Sequence, residues 1–211
     1  MIGSSAICGV ILAAGASSRM GRDKALLPWP PGSDGTLLSA AVAALRPLVQ
    51  KVVVVGGRNA EALTPVVAQL GADLARNPVP ERGQFSSIQI GLRAACEHGC
   101  DAAMLTPVDC PPLSAASLEK LCAAFAEARA RGVWAVAPER QGQHGHPLLL
   151  GRELMDAFLQ APDTSNTREV KAQFAERFQY LEVPDPLLAV DVNTPEEYAV
   201  LAKADSSFGP A

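Results

Sequence analysis

Two cations and several small residues follow the first apolar segment of the chain. Arg19 and Lys24 stand among Gly15, Ser17 and Gly21 in the run LAAGASSRMGRDKALLP, which begins at residue 12. Small residues let backbone N–H groups approach phosphate oxygens, and the two cations add positive charge. The run therefore predicts a loop that binds a phosphorylated ligand. The alternative is a tight strand-to-helix turn with solvated cations.

Two well-known phosphate-binding loops do not fit this run. A Walker A loop requires Gly-Lys-Ser/Thr, whereas Lys24 lies between Asp23 and Ala25. A dinucleotide-binding fingerprint requires G-x-G-x-x-G and an acidic residue at the end of the second strand, which here ends in Gly56-Gly57. P-loop ATPases and NAD-dependent enzymes are therefore disfavoured.

A carboxylate directly follows another apolar segment. Asp109 comes shortly after the run AAML and is flanked by prolines. A carboxylate at the carboxyl end of a strand suits a hard cation such as Mg²⁺ that bridges phosphate oxygens. The alternative is that Asp109 caps the following helix.

Composition limits the classes of function. Eighteen basic and 22 acidic residues give a net charge of −4, so no overall field favours nucleic acid or an anionic membrane. The five cysteines show no C-x-x-C spacing, which indicates a reducing cytoplasm rather than a disulfide or zinc framework. We expect no signal peptide, because the first apolar run lacks a basic segment before it, and no membrane span.

Apolar strand-like segments alternate with amphipathic helical ones. This pattern predicts an α/β fold with three layers, a doubly wound and mostly parallel Rossmann-like sheet. After residue 138 the pattern changes to a small β-hairpin insertion that ends in a strand over 146–150, two helices, a strand and a last helix opened by Asn193-Thr194-Pro195. We expect a single domain over residues 1–205 and a flexible tail over 206–211. The predicted strands are 6–13, 51–55, 72–76, 102–106, 133–137 and 178–183, and the predicted helices are 36–45, 60–70, 85–97, 114–129, 151–159 and 167–174.

The first loop closely resembles the signature of the molybdenum cofactor cytidylyltransferase family, which includes guanylyltransferase relatives. The family pattern L-A-[AG]-G-x-[SG]-x-R-M-G-x-x-K is filled at every fixed place. Ala14 matches the cytidylyl branch, because the guanylyl branch usually has glycine there. The resemblance implies a nucleotidyltransferase fold and assigns the nucleotide to Leu12, Ala13, Ala14, Gly15, Ser17, Arg19, Gly21 and Lys24.

Four later segments also resemble the family, so the resemblance spans nearly the whole chain. Asn77, Gly83, Ser86 and Ser87 fill a stretch that implies contacts with the base and ribose, although a plain capped helix is the alternative. The turn GQHGHP resembles one that borders the acceptor site. It implies acceptor contacts for His144 and His146, whereas a structural histidine is an equal alternative.

The two remaining segments imply a metal site. The family more often shows Gly-Asp-Gln-Pro around Asp109, and Val108 and Cys110 depart from that pattern. By its position in this segment, Cys110 is assigned to the acceptor. In the run VDVNTPEEY, Asp191 and Asn193 occupy the two motif positions that lie near the metal in members of the family. The resemblance therefore implies Mg²⁺ held by Asp109 with Asp191 or Asn193. Asn193 or Thr194 could instead cap the last helix.

The reaction implied is nucleotidyl transfer, with Arg19, Lys24 and Asp109 in catalytic roles. CMP would pass from CTP to the phosphate of molybdopterin that carries molybdenum, and a recipient molybdoenzyme or its chaperone would take the product. GTP-dependent or other nucleotidyl transfer is an alternative within the fold. A non-catalytic carrier that delivers the molybdenum cofactor is an alternative of another class.

Overall fold

A computed structural model describes residues 6–204 of the chain. The predicted flexible tail, 206–211, lies outside the described residues. The single-domain prediction for 1–205 remains a prediction.

Within residues 6–204, eight strands form one mixed sheet, which confirms the predicted fold class. Their order is β3-β2-β1-β4-β7-β5-β6, and β8 pairs with β5. Neighbours among β1 to β4 are parallel, as are β5 and β8, whereas β7 is antiparallel to both of its neighbours. The strands are β1 (Ile7–Ala13), β2 (Lys51–Gly56), β3 (Asp73–Arg76), β4 (Ala102–Pro107), β5 (Ala135–Arg140), β6 (Gln143–His144), β7 (Leu148–Gly151) and β8 (Phe178–Glu182).

Helices cover both faces of the sheet because its central strands are apolar on both sides. Along β1, Val10 and Leu12 pack into one core and Ile11 into the other. Helices α1, α2 and α4 bury their apolar residues in the core that contains Ile11, and α3, α5 and α6 in the opposite core. The helices are α1 (Leu37–Leu45), α2 (Ala60–Gln69), α3 (Gln84–Glu97), α4 (Ala115–Arg129), α5 (Arg152–Gln160), α6 (Thr167–Gln173) and α7 (Pro195–Ala204).

The predicted hairpin insertion is present and is built from three strands. β5 turns back through Gln141 and Gly142, both of which have positive φ, into β6. The chain then continues into β7, which pairs with β5 again and with β4 on its other edge. The sequence pattern predicted the returning strand but not its place between β4 and β5.

The carboxyl ends of β1, β2 and β4 meet at one edge of the sheet. Ala13 is in register with Gly56, and Leu12 is in register with Pro107. The chain winds from β1 outward to β3 and then returns to β4 on the other side of β1, so the loop after β1 lies at the point where the winding reverses. Ligands of open α/β sheets bind at such points.

Candidate active site

Ser17 folds the loop after β1 back on itself. Its φ of 49° lies in the left-handed region, which is uncommon for a residue other than glycine. Its carbonyl accepts hydrogen bonds from the N–H groups of Met20 at 3.0 Å and Gly21 at 3.1 Å. Its hydroxyl accepts one from the N–H of Lys24 at 3.2 Å. Ser17 therefore fixes the start of the short 3-10 helix Lys24–Leu26 relative to the loop.

Asn59 braces the same loop from the neighbouring strand end. Its side-chain amide donates to the carbonyl of Ala13 at 2.9 Å and to Asp23 Oδ2 at 2.6 Å. Its amide oxygen accepts from the N–H of Gly57 at 3.0 Å. A Cβ on Gly57 would lie 2.7 Å from the carbonyl oxygen of Ala14, so only glycine allows the two loops to approach this closely.

Lys24 joins three distant parts of the chain. Its ammonium donates to Asp109 Oδ2 at 2.9 Å and to Asn193 Oδ1 at 2.8 Å. The Lys24 side chain is 12% exposed and that of Asp109 is 29% exposed, so the ion pair is partly shielded from water. The structure therefore brings together a predicted catalytic lysine and two of the predicted metal ligands.

A buried carboxylate anchors the segment that carries Asn193. Asp185 accepts hydrogen bonds from the N–H of Ser114 at 2.8 Å and the hydroxyl of Ser117 at 2.9 Å, at the start of α4. Further along, the N–H of Val192 donates to the carbonyl of Asp109 at 2.8 Å. These bonds hold the residues on either side of Val192 beside Asp109.

Asp191, which precedes Val192, accepts a hydrogen bond from the thiol of Cys110. Cys110 Sγ donates to Asp191 Oδ1 at 3.1 Å. Burial raises the pKa of the Cys110 thiol, and the carboxylates of Asp191 and Asp109 raise it further. Cys110 is therefore a neutral thiol that acts as a hydrogen-bond donor.

A cleft of about 590 Å³ opens beside this cluster. That volume is in the range of sites that enclose small organic ligands, about 300–1,000 Å³. The residues predicted to bind the acceptor, Cys110, His144 and His146, all line it. The lining residues are Gln84, Pro107, Asp109, Cys110, Gln143, His144, Gly145, His146, Leu188, Ala189 and Asp191.

The two cleft histidines differ in environment. Burial lowers the pKa of His146, so its imidazole is neutral, and its Nδ1 has no hydrogen-bond partner among residues 6–204. His144 is half exposed, and its Nε2 lies 2.8 Å from Glu139 Oε2. Its ring stacks on that of Tyr180. The side chain of His146 is therefore buried in the wall of the cleft, whereas that of His144 is accessible to a ligand.

The predicted nucleoside-binding residues form a network of their own. Asn77 is 2% exposed, and its amide donates to the hydroxyls of Ser86 and Ser87 at 2.9 Å each. Both serines are buried at the start of α3, whereas Gly83 before them is exposed, with a φ of 90°. The network therefore ties the end of β3 to α3, and direct contacts with base and ribose remain a prediction.

The loop residues predicted to bind nucleotide range from buried to exposed. The side chains of Leu12 and Ala13 are buried, and their carbonyls accept from the N–H of Val108 at 3.0 Å and from Asn59 at 2.9 Å. Gly15, Arg19 and Gly21 are instead exposed. The accessible part of the loop therefore begins after Ala13.

The oxygens around Lys24 are of the kind that Mg²⁺ prefers. Asp109 Oδ2 and Asn193 Oδ1 converge on one cationic nitrogen, which shows that they can share a cation. Among residues 6–204, no group of three or more His, Cys, Asp or Glu side chains is arranged to hold a metal. One or two carboxylates completed by substrate phosphates are, however, the usual Mg²⁺ site of phosphoryl-transfer enzymes. The predicted ligands therefore fit the ion.

Comparison with known proteins identifies the family. The sequence profile of the MobA-like NTP transferase domain matches residues 9–178. The chain belongs to the MobA-like NTP transferase family. This membership confirms the predicted family and the nucleotidyltransferase class.

Individual relatives of this MobA-like chain come from both branches. It is 28% identical to the molybdenum cofactor cytidylyltransferase of Escherichia coli K12, over 92% of this chain and 94% of the relative. It is 31% identical to a probable molybdenum cofactor guanylyltransferase of Mycobacterium avium, over 97% and 99% of the two chains. The fold matches a crystal structure of Rv0371c from Mycobacterium tuberculosis H37Rv with a TM-score of 0.77, at 23% identity and coverage of 93% and 98%.

The sequence did not point to three residues that support the site, namely Asn59, Asp185 and Tyr180. Asn59 precedes α2 and has the appearance of an ordinary helix cap, but its side chain makes no cap hydrogen bond and braces the loop instead. Asp185 and Tyr180 lie in segments without a motif. The one local signal in the sequence was the pair Gly56-Gly57. Two adjacent glycines at the end of a strand indicate that another segment of backbone lies close to them.

Proposed function

We propose that this chain transfers CMP from CTP to the phosphate of molybdopterin that carries molybdenum, with release of pyrophosphate. The observation that carries the proposal is the contact of Lys24 with both Asp109 and Asn193, between the exposed loop and the cleft. This arrangement provides a place for a triphosphate on one side and for an acceptor on the other. Membership of the MobA-like NTP transferase family supports the reaction class.

The reaction needs charge neutralisation more than base catalysis. An oxygen of the acceptor phosphate attacks the α-phosphorus of CTP, and the bond between that phosphorus and the β-phosphate oxygen breaks. Because the attacking oxygen is already anionic, no general base has to remove a proton.

Lys24 and Arg19 are the two cations that meet the triphosphate in this proposal. Lys24 is held by Ser17 and by its oxygen partners, so its charge is oriented before substrate arrives. Arg19 is exposed on the loop and is available to follow the phosphates as they bind. Charge that is fixed in advance stabilises a transition state without reorganisation during the reaction.

Asp109, with Asn193 or Asp191, would hold Mg²⁺ in the working enzyme. When bound, the ion would supply Lewis-acid neutralisation of phosphate charge. The neutral thiol of Cys110 holds Asp191 in position on the cleft side. This chain therefore offers two carboxylates and one amide oxygen around the site.

The base is the least constrained part of the proposal. Ala14 favours CTP because the cytidylyl branch has alanine at this place. GTP is the second candidate, and the 31% identity to a guanylyltransferase relative favours it. Both alternatives keep the same acceptor cleft and the same roles for Lys24 and Asp109.

The cysteines indicate the compartment in which the proposed reaction takes place. All five cysteines lie within residues 6–204 and are free thiols, which supports work in a reducing cytoplasm. No helix in the part of the chain described is long and apolar enough to cross a membrane. A recipient molybdoenzyme or its chaperone would be the partner that takes the dinucleotide product.

Pyrophosphate release tests the proposal directly. The protein is incubated with Mg²⁺, molybdopterin that carries molybdenum, and either CTP or GTP. We expect pyrophosphate with both substrates present and faster release with CTP. Faster release with GTP would change the base assignment, whereas binding of the acceptor without release from any triphosphate would indicate a carrier.

A further inference from the structure

One residue that lines the cleft, His144, belongs to a stacked aromatic pair. The imidazole of His144 in β6 and the phenol of Tyr180 in β8 have ring centroids 3.7 Å apart and planes inclined by 8°. Tyr180 is 39% exposed, although it belongs to a strand of the sheet. The pair is thus at the surface and does not serve to fill a core.

Tyr180 stacks on one face of the His144 imidazole, and the two residues lie on different strands. β6 and β8 pair with β5 from opposite edges, with His144 opposite Glu139 and Tyr180 beside Ala137. His144 lines the cleft, whereas Tyr180 does not. Tyr180 therefore covers one face of the imidazole without lining the cleft, and we infer that the other face is the one that a ligand in the cleft reaches.

The imidazole is held in a fixed plane. Its Nε2 lies 2.8 Å from Glu139 Oε2, and Tyr180 stacks on one of its faces, while the His144 side chain remains 46% exposed. A ring that is already oriented loses little conformational freedom when another ring stacks on it. Glu139 in β5 and Tyr180 in β8 thus hold the ring of His144, which lies on the two-residue strand β6.

The cleft also reaches the predicted reaction centre. Asp109 and Asp191 line it together with His144, as do the exposed side chains of Gln84 and Gln143. A ligand that lies flat against His144 can therefore direct an anionic end toward the site of Lys24 and offer its polar edges to the two glutamines. The volume of about 590 Å³ accommodates a fused-ring heterocycle with a phosphorylated side chain.

We propose that the open face of His144, supported by Tyr180 and Glu139, is a stacking platform for the planar pterin ring system of the acceptor. This inference rests on the proposed function, which supplies the identity of the acceptor. In this proposal, His144 recognises the ring of the acceptor, and the cluster of Lys24, Asp109 and Asn193 recognises its phosphate.

A fluorescent pterin, pterin-6-carboxylic acid, tests the platform separately from the reaction. Its dissociation constant is measured by fluorescence titration for the unaltered protein and for His144→Ala, His144→Phe and Tyr180→Leu. We expect His144→Ala to weaken binding by about tenfold, as removal of a stacking ring does elsewhere. His144→Phe keeps a flat ring and should retain binding, and Tyr180→Leu should fall between the two.

The matched control is His98→Ala. His98 is a partly exposed histidine whose Nε2 lies 3.1 Å from Asp73 Oδ2, on β3 at the far edge of the sheet. This variant should bind the pterin as the unaltered protein does. In every variant, the rise in melting temperature with CTP and Mg²⁺ should be unchanged, which shows that the fold and the nucleotide site are intact.

Two results would overturn the platform while leaving the proposed function in place. One is a failure of the unaltered protein to bind the pterin although it binds CTP. The other is equal binding by His144→Ala and the unaltered protein. If instead the pterin binds as expected and no triphosphate is bound, the nucleotidyltransferase proposal fails and the platform stands.

Discussion

Lys24 Nζ lies 2.9 Å from Asp109 Oδ2, although 85 residues separate the two in the sequence. The lysine follows the loop after β1, and the aspartate follows β4, the neighbouring strand. A positive and a negative charge are thus fixed together at the point where the winding of the sheet reverses. Phosphate and a divalent cation, which are the two charged components of nucleotidyl transfer, can each be recognised by one member of the pair.

Removal of the charge of Lys24 should abolish most of the activity. Lys24→Met keeps much of the side-chain volume but leaves the triphosphate without its oriented cation, so we expect turnover to fall by about 100-fold or more. Pyrophosphate release measures the effect. Lys51→Met is the matched control, because Lys51 forms a 3.4 Å ion pair with Asp73 on an exposed edge strand. Unchanged turnover in Lys24→Met would remove this lysine from the mechanism.

Replacement of Asn193 should change metal affinity in a predictable direction. Asn193→Asp adds a carboxylate beside Asp109, so we expect Mn²⁺, used as a probe for Mg²⁺, to bind about tenfold more tightly. Asn193→Leu removes the oxygen and should weaken binding. Electron paramagnetic resonance of free Mn²⁺ gives both affinities without any need for turnover.

The control for this series is Asn166→Asp, which places the same new charge at the exposed start of α6. It should leave Mn²⁺ affinity unchanged. If Asn193→Asp binds Mn²⁺ no better than the unaltered protein, the amide oxygen of Asn193 is not a metal ligand.

Loss of the Asn59 brace should loosen the loop. Asn59→Ala removes hydrogen bonds to Ala13, Asp23 and Gly57, so we expect KM for the triphosphate to rise more than kcat falls. We also expect a loss of about 1 kcal/mol or more in the free energy of unfolding. Steady-state kinetics and denaturant unfolding measure the two effects. An equal loss of stability with an unchanged KM would show that Asn59 supports the fold but not the loop.

The buried carboxylate of Asp185 should make stability depend on pH in the acid range. Burial tends to raise the pKa of Asp185, but hydrogen bonds from Ser114, Ser117 and Leu187 outweigh that effect, and the pKa is lowered. A lowered folded-state pKa means that the carboxylate stabilises the fold above its ordinary pKa of about 3.9, and that this contribution is lost as pH falls through the folded-state value.

Unfolding of the unaltered protein and of Asp185→Asn at several pH values checks this expectation. Asp185→Asn should be less stable near neutral pH, and the difference should shrink below a pH of about 4. The hydrogen bond between Val192 and Asp109 depends on the same segment, so pyrophosphate release should fall as well. A difference in stability that is constant over the acid range would assign the effect to packing instead of charge.

Local patterns were sufficient to predict most of the fold and the proximity of Lys24 to Asp109. The strands around β1, β2 and β4 are apolar throughout because both faces of the sheet are covered, and this is visible in the sequence. Lys24 and Asp109 could be placed at one edge because both follow such strands. The helix starts were also visible, as at Thr36, whose hydroxyl accepts from the N–H of Ser39.

Features that depend on distant pairing could not be predicted. The place of β7 between β4 and β5 depends on antiparallel register that no turn in the sequence specifies. The stacking of His144 on Tyr180 depends on two strands that reach β5 from opposite edges. Similarly, Asn193 meets Lys24 only because Asp185 and Val192 hold a segment without regular structure against α4 and Asp109.

The most direct test of the account is the melting temperature of the protein with CTP, GTP, ATP, UTP or NADH, each with and without Mg²⁺. A ligand that binds the native state raises the melting temperature according to its affinity. We expect the largest rise with CTP and Mg²⁺ together, and loss of that rise in Lys24→Met. A rise with NADH alone, or no rise with any triphosphate, would contradict the account.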